Sequence, residues 1–428
     1  MGLSIESMAR VDPLPPTLTP TLSRPGGRGS RTLAASVPAP GRPHFTALPP
    51  LALYVHLPWC VRKCPYCDFN SHEARGEIPE DAYVDALLAD LEFALPTIWG
   101  RKVLSVFIGG GTPSLFSAAA VDRLLAGIRA RVPLSPDAEI TLEANPGTFE
   151  RERFAGYRAA GINRLSLGIQ SFDNAHLRAL GRIHDAGDAR AAATAALAIF
   201  DNVNLDLMYA LPRQTIEQAR ADARAAIAFA APHLSFYHLT LEPNTLFHRQ
   251  PPPLPDDDTA GAIEDVVHGE LAGAGYRHYE TSAFARPGRE CRHNRNYWEF
   301  GDYLGIGAGA HSKLSLPDRV FRQVRWKQPK RYLEQVGAGA PVQEETGVSR
   351  QDAGFEFMLN ALRLTDGVPA THFAERTGYP LAIVEREMKE ALRRGLLDAD
   401  PATIRATPLG RRFLNDLQAL FLREPGRR

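Results

Sequence analysis

From residue 51 onward, short apolar runs rich in β-branched residues alternate with stretches of helical periodicity. That alternation predicts repeated β-α units around a parallel sheet. Six runs, at 51–57, 103–108, 139–143, 165–169, 203–207 and 234–241, suit strands buried on both faces. Between them, Tyr83, Leu87, Leu88, Leu91 and Leu95, and then Val121, Leu124, Leu125, Ile128 and Val132, place apolar stripes on single helix faces. Ser117 and Thr148 suit N-caps, and Gly161 suits a C-terminal stop. Six units fall short of the eight of a closed barrel. The expected fold class is therefore α/β, a partial (β/α)6 TIM-like barrel open along one side, and an opening of that kind suits a large flat ligand.

The pattern breaks at both ends. Residues 1–48 are rich in Pro, Gly, Ser and Arg with no regular apolar spacing, so burial cannot offset their ordering entropy and they are expected to be disordered. Pro13, Pro15, Pro16, Pro20 and Pro25 break the amphipathic helix of a transit peptide, and a start codon placed too far upstream would give the same leader. The barrel core is assigned to 49–285, a connecting region to 286–350 and a small, mainly helical C-terminal domain to 351–428. In that last domain, short apolar segments at 395–397 and Ile404 could form a β wing of winged-helix kind.

Charge and cysteine count narrow the class. Lys+Arg and Asp+Glu both number 49, and no basic and aromatic stripe appears, so nucleic acid is not an expected partner. No run of about 18 apolar residues appears, so no membrane span is expected. Of 4 cysteines, three fall within eight residues and Cys291 lies far away, which is not a disulfide framework. A reducing, cytoplasmic location is expected, with peripheral membrane association left open.

The candidate chemistry starts on the loop after the first strand, where Cys60, Cys64 and Cys67 stand at C-x3-C-x2-C spacing. A [4Fe-4S] cluster normally takes four thiolates, so three ligands leave one iron open to an exogenous group. In radical S-adenosylmethionine (SAM) proteins the amino and carboxylate groups of SAM chelate that iron. A zinc site would need a fourth ligand, and only His56 and His72 lie close in sequence. Gly110, Gly111 and Thr112 follow the second strand, where glycine lets the backbone approach a ligand. Glu143, Gln170 and Asp206 end the third, fourth and fifth strands, and Arg182 lies in a loop beyond Gln170. Strand ends of one barrel face converge, so carboxylates for ribose or adenine and a guanidinium for a carboxylate would share one site.

The segments 54–60, 67–72, 109–114, 143–147, 168–172, 180–184, 206–212, 242–245 and 305–312 resemble the HemW heme-chaperone family and the related oxygen-independent coproporphyrinogen III oxidases, both radical SAM proteins. The resemblance covers about residues 51–422 and implies a radical SAM barrel. It assigns cluster ligation to Cys60, Cys64 and Cys67, and SAM contact to Tyr54, Tyr66, Gly110, Gly111, Thr112, Glu143, Gln170, Arg182 and Asp206. The oxidases carry a further Cys two residues after the third ligand, where this chain has Phe69. The stretch Cys291, Arg292, His293, Asn294, Arg295, Asn296, Tyr297, Trp298 resembles the H-N-x-N-Y-W motif associated with heme in that family. His293 is the natural axial candidate and Cys291 a second one, with Tyr297 and Trp298 supplying flat contact. The resemblance implies two rival functions. One is a chaperone that passes heme to respiratory acceptor proteins and takes electrons from a flavodoxin or ferredoxin. The other is a radical decarboxylase of porphyrin biosynthesis, so the resemblance alone leaves open whether the chain is an enzyme.

Overall fold

The computed structural model describes residues 41–147 and 150–422. All six expected strands form: β1 (Leu51–Leu57), β2 (Val103–Gly110), β3 (Leu134–Ala144), β4 (Arg164–Gln170), β5 (Val203–Tyr209) and β6 (His233–His238). They lie side by side in that order and are parallel throughout. Outward-facing Leu53, Val55, Val106, Ile108, Leu142, Leu165, Leu167, Leu205 and Leu234 are almost fully buried, because helices cover that face. Those helices are α1 (Glu80–Ile98), α2 (Ala118–Arg131), α3 (Glu150–Ala160), α4 (Ala186–Ile199) and α5 (Ile216–Ala228).

Local signals account for several boundaries. The Ser117 hydroxyl accepts from the Ala120 amide and starts α2, and Gly161 takes φ +106° where α3 stops. Thr148 lies outside the described residues.

Among the described residues the sheet has twelve strands, more than the six expected. Beyond β6, helix α6 (Asp257–Gly273) leads into a hairpin of β7 (Arg277–Glu280) and β8 (Ala283–Ala285) that pairs antiparallel with β6. On the other side, β9 (Asp302–Ile306) pairs parallel with β1. An antiparallel meander follows it: β10 (His311–Leu316), β11 (Arg319–Arg325) and β12 (Val342–Gly347). The region expected merely to connect two domains is therefore part of the main sheet. Its strands escaped notice because their buried positions carry charge. Lys313 is buried against Asp302 at 3.0 Å, and Arg325 against Asp90 at 2.9 Å. Sequence patterning assigns such residues to solvent; here each is neutralised by a partner from another element.

Between β8 and β9, a short helix α7 (Arg292–Trp298) packs against β1, β2 and β9. The C-terminal domain consists of helices Arg350–Ala361, Thr371–Thr377, Glu385–Arg393, Pro408–Arg412 and Leu414–Ala419 around Phe357, Met358, Phe373 and Leu417. Its β elements are smaller than a full wing: Val368–Pro369 pairs with Thr403–Ile404, and Leu397 bridges to Ala406. Phe300 joins that core, Arg322 pairs with Glu356 at 2.7 Å, and the Arg363 guanidinium lies 4.2 Å from the Trp298 ring centroid.

Of the leader, residues 1–40 lie outside the described residues. Residues 41–48 form no regular element, but their backbone is tied down: the His44 amide donates to Gly378 O at 2.8 Å, and Gly41 O accepts from the Tyr379 hydroxyl. Residues 41–48, expected to be disordered, are therefore held in place, and Pro43 and Phe45 pack where Gly378 leaves room for them.

Candidate functional site

A cavity of about 380 Å³ opens at the C-terminal ends of the strands. Its walls include Cys60, Cys64, Cys67, Tyr66, Gly110, Gly111, Thr112, Glu143, Gln170, Arg182 and Asp206. Residues scattered over about 150 positions are thereby brought to one place, as strand ends of a parallel barrel must be. Tyr54 is the exception. It is half-buried and outside the lining, its hydroxyl 2.9 Å from His56 Nδ1, and its ring packs on Phe107.

The cluster loop is fixed from several sides. Asn70 Nδ2 donates to the carbonyls of Ala308 and Lys327, and His56 Nε2 lies 2.9 Å from Asn70 O. Gly111 N and Thr112 N donate to Leu57 O and Trp59 O at 2.8 and 2.7 Å. The glycine run therefore spends these amides on the loop itself, and what it can offer a ligand is carbonyl oxygen, an acceptor suited to an ammonium. Burial pushes the Cys60 and Cys67 thiols up, a state that ligation to iron would reverse by removing the proton. Among the described residues, no three His, Cys, Asp or Glu side chains converge closely enough to hold a single metal ion. A cubane does not need such convergence, because each thiolate meets a different iron.

The polar wall is equally organised. Gly110 N donates to Glu143 Oε2 at 3.1 Å, while burial first and Asp206 second raise the Glu143 carboxyl to about 7. Asp206 accepts from Ser166 Oγ at 2.7 Å and from Asn204 Nδ2 at 2.8 Å. Gln170 has φ +67° and sits at a bulge, where pairing shifts between Gly168–Asp206 and Gln170–Leu207. Such a bulge re-aims a side chain at the end of a strand. Asp222, which sequence reading passed over, holds the following turn by accepting from Ser171 Oγ and Phe172 N, both at 2.7 Å. Arg182 donates to Asn145 Oδ1 and Gly168 O, yet its buried Nε has no partner. An unpaired buried guanidinium nitrogen on a cavity wall fits a carboxylate-bearing ligand. The residues present thus fit SAM: carboxylates for hydroxyls, a guanidinium for a carboxylate and carbonyls for an ammonium.

The motif at 291–298 lies elsewhere. None of its residues lines the cavity; α7 closes the opposite, N-terminal end of the barrel. His293 is 8% exposed, with Nδ1 3.1 Å from Ser105 Oγ and its ring centroid 5.0 Å from that of Phe107. Burial and nearby Arg164 lower its imidazole to about 3, and burial raises the Cys291 thiol to about 12. Cys291 Sγ and the His293 amide both donate to Glu139 Oε1. Asn296 Nδ2 donates to Asp302 O, and the Tyr297 ring packs against Trp298 and Tyr303. Asn294 is half-buried on the same helix. Cys291 and His293 are thus buried, while Asn296, Tyr297 and Trp298 are half-buried.

An open parallel barrel that turns three cysteines and a polar cavity toward its C-terminal edge defines a radical SAM protein, and the Radical SAM superfamily model matches residues 54–226. The HemN C-terminal domain model matches residues 348–413. The heme chaperone HemW of Escherichia coli is 48% identical, over 88% of this chain and 99% of its own length. That of Haemophilus influenzae is likewise 48% identical over 88% and 99%. Radical S-adenosyl methionine domain-containing protein 1, mitochondrial, of Mus musculus is 36% identical over 93% and 95%. The chain belongs to the HemW family. The solved structure of the radical SAM enzyme coproporphyrinogen III oxidase (HemN) from Escherichia coli is similar at a TM-score of 0.75 and 27% identity, covering 87% of this chain and 90% of that one. Among the described residues, no helix is long and apolar enough to cross a membrane.

Proposed function

We propose that this protein is a heme chaperone that holds a [4Fe-4S] cluster capped by SAM and passes heme to acceptor proteins. The observation that carries this reading is the 48% identity to heme chaperones along 99% of their length. Cys60, Cys64 and Cys67 would hold the cluster, which when bound supplies an open iron and an electron. Arg182 would pair with the SAM carboxylate, carbonyls of the 109–112 run would accept from its ammonium, and Glu143 and Asp206 would receive nucleoside hydroxyls or amines. Tyr66 and Gln170 close the wall around them. Acceptors of respiratory type and a small flavodoxin- or ferredoxin-like donor complete the reading. Arg62 on the cavity rim and Lys63 beside it place exposed positive charge next to the cluster loop for an acidic donor.

Phe69 bears on the rival decarboxylase reading. It lines the cavity mouth and is 63% exposed, with no thiol at that position. The decisive experiment incubates the anaerobically reconstituted protein with heme and, separately, with coproporphyrinogen III, reductant and SAM. Stable heme uptake without formation of protoporphyrinogen IX is expected. Turnover of the porphyrinogen would replace the chaperone reading with the enzymatic one.

A further inference from the structure

We infer that the 291–298 motif is the floor of the barrel and positions the nucleotide pocket above it, instead of ligating heme iron. The inference rests on the proposed reading that SAM fills the cavity. Two arms of contacts run upward from the floor.

The first arm is a continuous line of hydrogen bonds through buried groups. The Cys291 amide donates to the Tyr279 hydroxyl at 3.2 Å, and that hydroxyl lies 2.9 Å from His233 Nε2. His233 Nδ1 lies 2.6 Å from Asn204 Oδ1, and Asn204 Nδ2 donates to Asp206 Oδ1 at 2.8 Å. One arrangement of protons satisfies the whole line. Asn204 must turn its nitrogen to Asp206 and Ser166, so its oxygen accepts from Ser235 and from His233 Nδ1. His233 then carries its proton on Nδ1 and accepts at Nε2 from Tyr279, whose oxygen in turn accepts from Cys291. Burial, and after it Arg164, hold His233 well below its usual value and so neutral, as this arrangement requires. Both oxygens of Asp206 are thereby oriented, one by Asn204 and one by Ser166, leaving their outer lone pairs to the cavity.

The second arm is packing. The His293 ring lies 5.0 Å from Phe107 and 6.5 Å from Tyr54, and Tyr54 is joined through His56 to Asn70 on the cluster loop. The motif thus touches the supports of both the ribose carboxylate and the cluster loop. It is also sealed. Cys291 is 0% exposed, and Asn296 and Trp298 are engaged with Asp302 and Arg363.

The test compares Tyr279→Phe, which removes one hydroxyl from the line, with His293→Ala and His293→Gln. SAM affinity, the change in the reduced cluster's electron paramagnetic resonance on adding SAM, and the Soret band of bound heme are each measured. Tyr279→Phe and His293→Ala should weaken SAM binding by about fivefold to tenfold, the effect of one lost buried hydrogen bond, and alter the SAM-induced signal. Heme affinity and the Soret position should stay those of the unmodified protein. His293→Gln, which can still meet Ser105, should recover part of the SAM affinity. The inference is overturned if His293→Ala removes a histidine-ligated heme spectrum, or if SAM affinity and signal are unchanged in both variants. Absence of heme binding by the unmodified protein would sink the chaperone reading instead, and the SAM measurements would still decide this one.

Discussion

Arg182 Nη1 lies 3.6 Å from Cys64 Sγ, while Nη2 of the same guanidinium donates to Asn145 Oδ1 at 2.5 Å and Gly168 O at 2.8 Å. One side chain therefore touches a cluster thiol, the end of β3 and the end of β4. A positive charge beside the thiolate stabilises the reduced, more negative cluster, and the unpaired Nε is free for a carboxylate. Arg182→Met should weaken SAM binding by about tenfold to a hundredfold, the worth of a charge-assisted hydrogen bond, and lower the cluster's reduction potential. Calorimetry and a redox titration read the two effects separately, and an unchanged potential would remove the thiol contact from the account.

Gly111 approaches the cluster loop so closely that an added Cβ would meet Trp59 O at 2.5 Å and Pro58 C at 2.8 Å. Both are backbone atoms and cannot rotate away. Gly111→Ala should therefore displace the loop, so that iron per chain after reconstitution falls well below four. Gly261→Ala in α6, where a Cβ meets nothing within 4 Å, is the control and should keep full iron content. It should also raise stability by up to about 1 kcal/mol through helix propensity.

The Glu143 carboxyl, raised to about 7, is largely protonated at pH 6 and ionised at pH 8. SAM carries a sulfonium and an ammonium, so its binding favours the ionised form. Affinity should consequently fall as pH drops through about 7, approaching tenfold per unit below it. Calorimetry in two buffers of different ionisation enthalpy should show proton release near pH 6 and little at pH 8. An affinity that is flat across this range would contradict the placement of Glu143 beside the ligand.

Outside the cavity, Asp90 is fully buried in α1 and accepts from Arg325 Nε at 2.9 Å and Tyr332 Oη at 2.8 Å. Burial pushes its carboxyl up, and Arg325 is the main influence holding it down. Arg325→Met should destabilise the fold by about 3–5 kcal/mol, since it strands a buried carboxyl. Urea unfolding measures this directly. The double change Asp90→Leu with Arg325→Met should recover most of the loss.

How much of this was visible beforehand differs by element. The six parallel strands and the helices α1 and α2 follow from their own apolar spacing, because each is buried over a whole face. The cluster triplet, the strand residues Glu143, Gln170 and Asp206 and the loop residue Arg182 are legible for a related reason: parallel strands deliver their C-terminal ends, and the loops that follow them, to one edge. Tyr54 lies outside the cavity lining with its hydroxyl beside His56 Nδ1, a neighbour that its position on β1 does not reveal. Strands β9–β12 were missed where Asp302, Lys313 and Arg325 mimic a solvated surface, although Lys313 is neutralised by Asp302 on the neighbouring strand and Arg325 by Asp90 far along the chain.

The chain by itself, then, determined the barrel units and the chemistry at their C-terminal edge, since periodicity and local motif spacing need no knowledge of distant partners. Tertiary structure alone decided the place of the 291–298 motif. Its fate depends on Ser105, Glu139, Tyr279 and Phe107 closing around it, and no local pattern encodes which side of a folded sheet a short helix will plug.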